Sequence, residues 1–133
     1  MLAVDTSVLL SIFKGEADGA AWLAYLQKEA ASRPLVASAV VWAEVRAFFK
    51  DDTSCRQILA ALGIQLSAEN ETSALLAGSI YRSYKSKGGT RMKLVPDFLV
   101  AAHAATQAAA LVTTDRGYFR SYFPKLTLIT SPN

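Results

Sequence analysis

The chain has 133 residues, which is close to the commonest size of a single domain. Hydrophobic residues make up 52% of it, enough for a substantial core, and the formal net charge is a modest +3. A single cysteine, Cys55, excludes an internal disulfide and favours a reducing compartment. We therefore expect one soluble, cytoplasmic domain over residues 1–133, in which Cys55 is a small apolar helix residue.

The composition gives no support to secretion or to a membrane-spanning segment. The amino terminus has no basic leader before its first apolar run, and Asp5 lies within that run, which argues against a signal peptide. The longest uncharged stretch, residues 98–114, is short for a membrane span and contains His103 and Gln107. We interpret it as a buried helix that leads into a strand.

Short apolar runs alternate along the chain with longer segments of helical periodicity. The predicted strands are residues 2–5, 35–37, 64–66, 111–114 and 126–129. The predicted helices are residues 7–13, 18–31, 39–49, 54–62, about 68–84 and 96–109, with a short turn or helix at 118–122. Strands separated by helices predict right-handed crossovers and a parallel sheet covered on both faces.

Four acidic residues lie where apolar runs meet helix or turn signals. Asp5 and Asp115 follow predicted strands, Asp97 opens a predicted helix, and Glu44 lies in the first two turns of another. In an open parallel sheet the carboxyl ends of the strands share one crevice, so these side chains are expected to converge there. Four carboxylates would repel one another without a cation, which points to bound Mg²⁺ or Mn²⁺ and to phosphodiester chemistry.

Taken singly, three of these acids have structural explanations of equal weight. Asp5 can cap the helix that follows it, and Asp97 suits the first turn of a helix after a proline. Asp115 lies in an ordinary turn composition. Glu44 interrupts an apolar segment without an obvious structural reason, and an exposed helical edge is its alternative explanation.

Basic residues are concentrated in one interval of the chain. No acid occurs between Glu71 and Asp97, and the second half of that interval is rich in cations. These cations are Arg82, Lys85, Lys87, Arg91 and Lys93. A basic segment just before a metal carboxylate favours the binding of a polyanion, and a solvated helix end and loop is the competing interpretation.

Four motifs, in order and at matching spacing, carry a resemblance to a known family. They are VDTSVLL at residues 4–10, AEV at 43–45, PDFLVAAHA at 96–104 and LVTTDRGYF at 111–119. With these motifs the chain resembles the PIN-domain ribonucleases, and among them the VapC toxins of toxin–antitoxin modules. The bulky residues on either side of Asp97 depart from the small residues that many members have there, and we expect this to alter local packing more than metal ligation.

The resemblance implies a three-layer α/β/α sandwich with a central parallel sheet and Mg²⁺- or Mn²⁺-dependent endoribonuclease activity. It also implies inhibition by a VapB-like antitoxin and a homodimer. The residues that match the acidic tetrad are Asp5, Glu44, Asp97 and Asp115, and those that match the neighbouring hydroxyl positions are Ser7 and Thr114. We assign metal ligation to Asp5, Asp97 and Asp115, water activation to Glu44, and RNA phosphate contacts to Arg91, Lys93 and Arg116.

Other features favour simpler explanations. His103, the only histidine, lies about 120° around the helix and on the order of 9 Å along it from Asp97, so shared ligation is disfavoured and a structural role is preferred. Trp22, Tyr25 and Leu26 share one helical face, which is typical of a core or a dimer interface. An aspartyl-phosphate phosphatase is disfavoured because Ser7 stands where its second aspartate is expected. The non-enzymatic alternative is a PIN-like module that binds RNA or protein without turnover.

Overall fold

The computed structural model describes residues 1–91, 94–114 and 118–133, with the backbone alone at Tyr118. In these ranges the strands are β1 (Leu2–Val4), β2 (Leu35–Ala37), β3 (Ile64–Leu66), β4 (Ala110–Val112) and β5 (Leu128–Ile129). The helices are α1 (Thr6–Phe13), α2 (Gly19–Ala30), α3 (Ala39–Phe48), α4 (Asp52–Ala61), α5 (Glu71–Ser86), α6 (Leu94–Gln107) and α7 (Tyr118–Tyr122).

The five strands form one sheet in the order β3-β2-β1-β4-β5, and every pairing is parallel. Helices flank this sheet, so the predicted α/β/α architecture is confirmed. The chain first builds outward from β1 to β3, and then returns to the other side of β1 with β4. This reversal makes the crevice between the carboxyl ends of β1 and β4 the topological switch point, the usual ligand site of open α/β sheets.

The sheet is buried at its centre. All residues of β1, β2 and β4 are buried, which explains why these strands are continuous apolar runs with no polar alternation. Trp22 and Leu26 of α2 enter the same core, so the core interpretation of that helical face is confirmed for them, whereas Tyr25 is half-buried. Cys55 is buried as predicted, and this burial raises the pKa of its thiol.

Three helices, α4, α5 and α6, begin two or three residues from their predicted starts, and α4 begins at Asp52 and not at residue 54. Helix α6 begins at Leu94, two residues before the predicted start at Pro96. Proline is tolerated there because the first amides of a helix have no intrahelical partner. Helix α5 begins at Glu71 and not near residue 68, because Asn70 caps it: the Asn70 side chain accepts from the Ser73 amide, and the Ser73 hydroxyl accepts from the Asn70 amide.

Within the described residues no helix is long and apolar enough to cross a membrane.

Candidate active site at the carboxyl ends of the strands

Asp5 lies at the switch point of the sheet, directly after β1. Its backbone amide donates to the Val112 carbonyl of β4 at 2.9 Å, which ties the end of β1 to the end of β4. Asp5 is also the cap residue of α1, yet its side chain makes no capping hydrogen bond. Its Oδ2 atom instead accepts hydrogen bonds from the Ser7 hydroxyl at 2.7 Å and the Thr113 hydroxyl at 2.8 Å. The half-buried carboxylate is thus oriented by hydroxyl groups that follow two adjacent strands.

Ser7 connects the Asp5 carboxylate to the end of β4. Besides donating to Asp5, the Ser7 hydroxyl accepts a hydrogen bond from the Thr114 backbone amide at 3.1 Å. The sequence assigned a neighbouring hydroxyl role to Thr114, but the hydroxyl that reaches Asp5 belongs to Thr113, which is fully buried. Thr114 therefore contributes to this hydrogen-bond network through its backbone amide, which donates to Ser7. Thr113 is a functional candidate that sequence reasoning missed.

Glu44 reaches the same edge of the sheet from helix α3. Val41 and Val45 of this helix are buried, whereas Glu44 is exposed. Its Oε1 atom accepts a hydrogen bond from the Thr6 hydroxyl at 2.8 Å. Because Thr6 directly follows Asp5, this bond holds Glu44 beside the end of β1. Glu44 is therefore exposed, as the structural alternative predicted, and its role in water activation stays a prediction.

Asp97 lies in the first turn of α6 and is half-buried. Phe98, the next residue, is fully buried, and its ring packs at 6.1 Å from the Tyr81 ring and 6.0 Å from the Tyr84 ring. The bulky neighbour of Asp97 thus serves as the anchor of α6 against α5. The expectation that the bulky neighbours of Asp97 alter packing more than metal ligation stays a prediction.

The complete predicted metal set extends beyond what the structure describes. Asp115 lies outside the described residues. Among the residues inside them, no group of three or more His, Cys, Asp or Glu side chains is arranged to hold a metal ion. The hydrogen bond from Thr6, the residue after Asp5, brings Glu44 close to Asp5. Joint metal ligation by Asp5, Asp97 and Asp115 stays a prediction.

Of the three residues predicted to contact RNA, only Arg91 falls within the described part of the chain, and Lys93 and Arg116 lie outside it. The Arg91 side chain is exposed, and its backbone amide donates to the Tyr84 hydroxyl at 3.0 Å. This hydrogen bond fastens the segment before α6 to the carboxyl-terminal part of α5.

His103 is packed in the interior, in agreement with its predicted structural role. Its side chain is 1% exposed, and Nε2 lies 2.9 Å from the Ser67 hydroxyl oxygen. Burial lowers the pKa of the imidazole, so the neutral ring is favoured. Its Nδ1 atom has no hydrogen-bond partner in the described ranges.

Comparison with known proteins identifies the family. The PIN domain model matches residues 2–123. Among solved structures, a chain of the VapBC2 complex from Rickettsia felis, bound to a DNA fragment from its promoter, aligns with a TM-score of 0.71 at 19% identity over 96% of each chain. VapBC-1 from nontypeable Haemophilus influenzae aligns at 0.70, with 17% identity over 96% of each chain.

A third similar structure is FitAcB from Neisseria gonorrhoeae. It aligns with a TM-score of 0.65 at 21% identity, over 99% of this chain and 98% of that one. A search of curated proteins found no match. The fold of these neighbours agrees with the parallel sheet described above, and the family model spans nearly the whole chain. The chain belongs to the PIN domain family.

Proposed function

We propose that this protein is a metal-dependent endoribonuclease and the VapC-like toxin of a toxin–antitoxin pair. The observation that carries the proposal is the environment of Asp5. Its carboxylate lies at the switch point of a PIN-domain sheet, makes no helix cap, and is held by the hydroxyls of Ser7 and Thr113. An acid oriented in this way by supporting hydroxyls is typical of a metal ligand.

The chemistry of the donor set fits Mg²⁺ or Mn²⁺, which prefer carboxylate oxygens. Asp5, Asp97 and Asp115 would hold the cation, and a bound cation supplies Lewis-acid stabilisation and an acidified water. Ser7 and Thr113 keep the Asp5 carboxylate in one orientation. The Thr6 hydroxyl donates a hydrogen bond to Oε1 of Glu44. We therefore assign the other carboxylate oxygen, Oε2, as the atom that accepts a proton from the water attacking phosphorus.

A VapB-like antitoxin is the proposed partner, supported by the structural similarity to VapBC complexes from several bacteria. A protein that inhibits this site must block a crevice bordered by carboxylates. An arginine fits this role because its planar guanidinium pairs bidentately with a carboxylate. We further propose that the protein forms a homodimer in the cytoplasm.

RNA cleavage by the purified protein tests the activity. The wild-type chain and Asp97→Asn are purified in parallel and incubated with total RNA in Mg²⁺, in Mn²⁺ and in EDTA, and the new RNA ends are sequenced. We expect defined cleavage sites that need a divalent ion and that are absent with Asp97→Asn. Equal cleavage by both proteins would contradict the proposed nuclease site, because it would show that cleavage does not require Asp97. RNA binding without cleavage in either metal would favour the non-catalytic PIN-like module.

The antitoxin proposal has its own test. The protein is co-purified with the product of the adjacent small gene, and the basic residues of that partner are replaced one at a time by Ala. One replacement should restore RNA cleavage while the complex persists in size-exclusion chromatography. If every replacement leaves inhibition intact, the partner does not act through a basic residue in the carboxylate crevice.

A further inference from the structure

A groove follows one exposed face of helix α5. It is lined by Gly78, Tyr81, Arg82, Lys85 and Ser86 and has a volume of about 460 Å³. These positions recur at intervals of three and four residues, so they form one continuous face over more than two helical turns. The groove is therefore long enough to bind an extended, chain-like ligand that runs along the helix.

The charge of this groove is positive. Arg82 and Lys85 are exposed, and the only acid of α5 is Glu71, at the opposite end of the helix. In the described part of the chain the ion pairs are Arg33–Glu29 and Arg46–Asp52. Within that part, neither Arg82 nor Lys85 forms an ion pair. The Lys85 ammonium lies 5.6 Å from the centre of the Tyr81 ring, an attraction that favours its position over the aromatic surface.

Gly78 contributes the space in the groove. A Cβ atom built at this position would meet no heavy atom within 4 Å, so it would project into open space. Glycine in the middle of a helix lowers helix stability relative to alanine, and here no steric conflict explains its presence. The missing side chain widens the groove beside the two cations.

The groove is connected to the candidate active site through aromatic packing. The Tyr81 ring, which lines the groove, packs against Tyr84 at 6.0 Å and against Phe98 at 6.1 Å. Phe98 directly follows Asp97 in the first turn of α6. The groove therefore lies on the helix that packs against the first turn of α6, where Asp97 is located.

We infer that the α5 groove binds the phosphates of a single-stranded RNA segment next to the scissile bond, with Arg82 and Lys85 as the contacting cations. The inference rests on the proposed function for its choice of RNA, because the helix that carries the groove packs against the first turn of α6, which holds a carboxylate of the proposed nuclease site. Phosphate contacts of this kind give affinity without sequence preference and make binding depend on salt. An acidic protein segment is the alternative ligand that the experiment separates.

Binding is measured in EDTA, so that it is independent of cleavage. A fluorescent single-stranded RNA oligonucleotide is titrated with wild-type protein and with the Arg82→Ala/Lys85→Ala double variant, over a series of salt concentrations. The matched control is Lys28→Ala/Arg56→Ala, which also removes one lysine and one arginine from exposed helix positions outside the groove. We expect the groove variant to lose about tenfold or more in affinity at low salt, and its salt slope to fall by about 1.4, or roughly 0.7 per phosphate contact.

Gly78→Leu tests the same groove without a change in charge. Leu fills the open space at Gly78, and affinity for RNA should fall while circular dichroism and Tm show a folded protein. If both groove variants bind RNA as the control does, the inference is overturned. The inference is also overturned if they retain RNA binding but lose affinity for a poly-glutamate peptide, which would assign the groove to an acidic protein segment. Loss of RNA binding supports it even if Asp97→Asn leaves cleavage unchanged, because that second result contradicts only the proposed nuclease site.

Discussion

Two aspartates that precede helices in this protein use their side chains in different ways. Asp51 caps α4: its Oδ1 atom accepts a hydrogen bond from the Ser54 amide at 2.7 Å. Asp5 holds the corresponding position before α1, but its Oδ2 atom accepts from the hydroxyls of Ser7 and Thr113 and makes no cap. Asp51 thus stabilises its own helix through a backbone amide, whereas the Asp5 carboxylate is oriented by a hydroxyl of α1 and a hydroxyl that follows β4. The same local sequence position therefore carries a capping carboxylate in one case and, in the other, the carboxylate that we propose is functional, and their hydrogen-bond donors differ.

The largest difference is expected in RNA cleavage. Asp5→Asn removes the charge that we propose binds the metal, with little change in volume, and the cleavage rate should fall by more than about a hundredfold, beyond the range of residues that only support a ligand. Asp51→Asn is the matched control, because asparagine also caps helices well and should leave cleavage at the wild-type rate. Both rates are measured with a labelled RNA in Mg²⁺ or Mn²⁺. Equal rates for the two variants would remove the functional distinction between these aspartates.

Thr113→Val tests whether the hydroxyl support of Asp5 matters. Valine has nearly the same shape, but it removes the Thr113 hydroxyl that donates to Oδ2 of Asp5. Replacing such a supporting group typically lowers metal affinity or activity by about 10- to 100-fold. Thr113→Ser restores a hydroxyl and should recover most of the cleavage rate. The hypothesis fails if Thr113→Val cleaves RNA and binds Mn²⁺ as the wild type does.

Thr113 also shows where sequence analysis was insufficient. The Asp5–Ser7 pair could be expected from the sequence because the residues are two positions apart. The Asp5–Thr113 bond depends on the register that places Val4 opposite Val112, and no local pattern contains that register. Its only sequence signal was a threonine directly after an apolar run. The motif comparison selected the adjacent Thr114.

The secondary structure was easier to predict because its signals are local. Strands β2 and β3 occur at residues 35–37 and 64–66 as predicted, since Pro34 and Gly63 mark their starts. The start of α5 was wrong by three residues, because the reciprocal cap between Asn70 and Ser73 was not recognised. The parallel order of the strands followed from their separation by helices. The role of Asp115 stays a prediction from its motif, because this residue lies outside the described ranges.

A smaller effect is expected at Thr6, which connects the Asp5 region to Glu44. Thr6→Val removes the hydroxyl that donates to Glu44 Oε1 at 2.8 Å. Because Glu44 is exposed, water can replace this donor, so the fold should be retained while the carboxylate loses its fixed orientation. We expect kcat to fall by less than about tenfold with little change in KM, and Thr6→Ser to restore it. A wild-type kcat for Thr6→Val would show that this hydrogen bond does not position a catalytic group.

The smallest expected effect concerns the pH dependence of stability at Asp51. The hydrogen bonds from Ser54, of which the backbone bond is the stronger cause, lower the pKa of the Asp51 carboxyl below its ordinary value of 3.8. A carboxyl whose pKa is lower in the folded than in the unfolded state stabilises the fold above the unfolded value. This stabilisation is lost as the pH falls through the folded value.

The Asp51→Asn variant has no such titration at this position, so it provides the reference for the wild type. The Tm advantage of the wild type over the variant should be present at neutral pH and shrink as the pH falls below that ordinary value and through the lower pKa of the folded state. The other carboxyls titrate in both proteins, so the difference between their thermal melts isolates Asp51. A difference that stays constant with pH would mean that the charge of Asp51 does not contribute to its cap, and that its contrast with Asp5 lies in geometry alone.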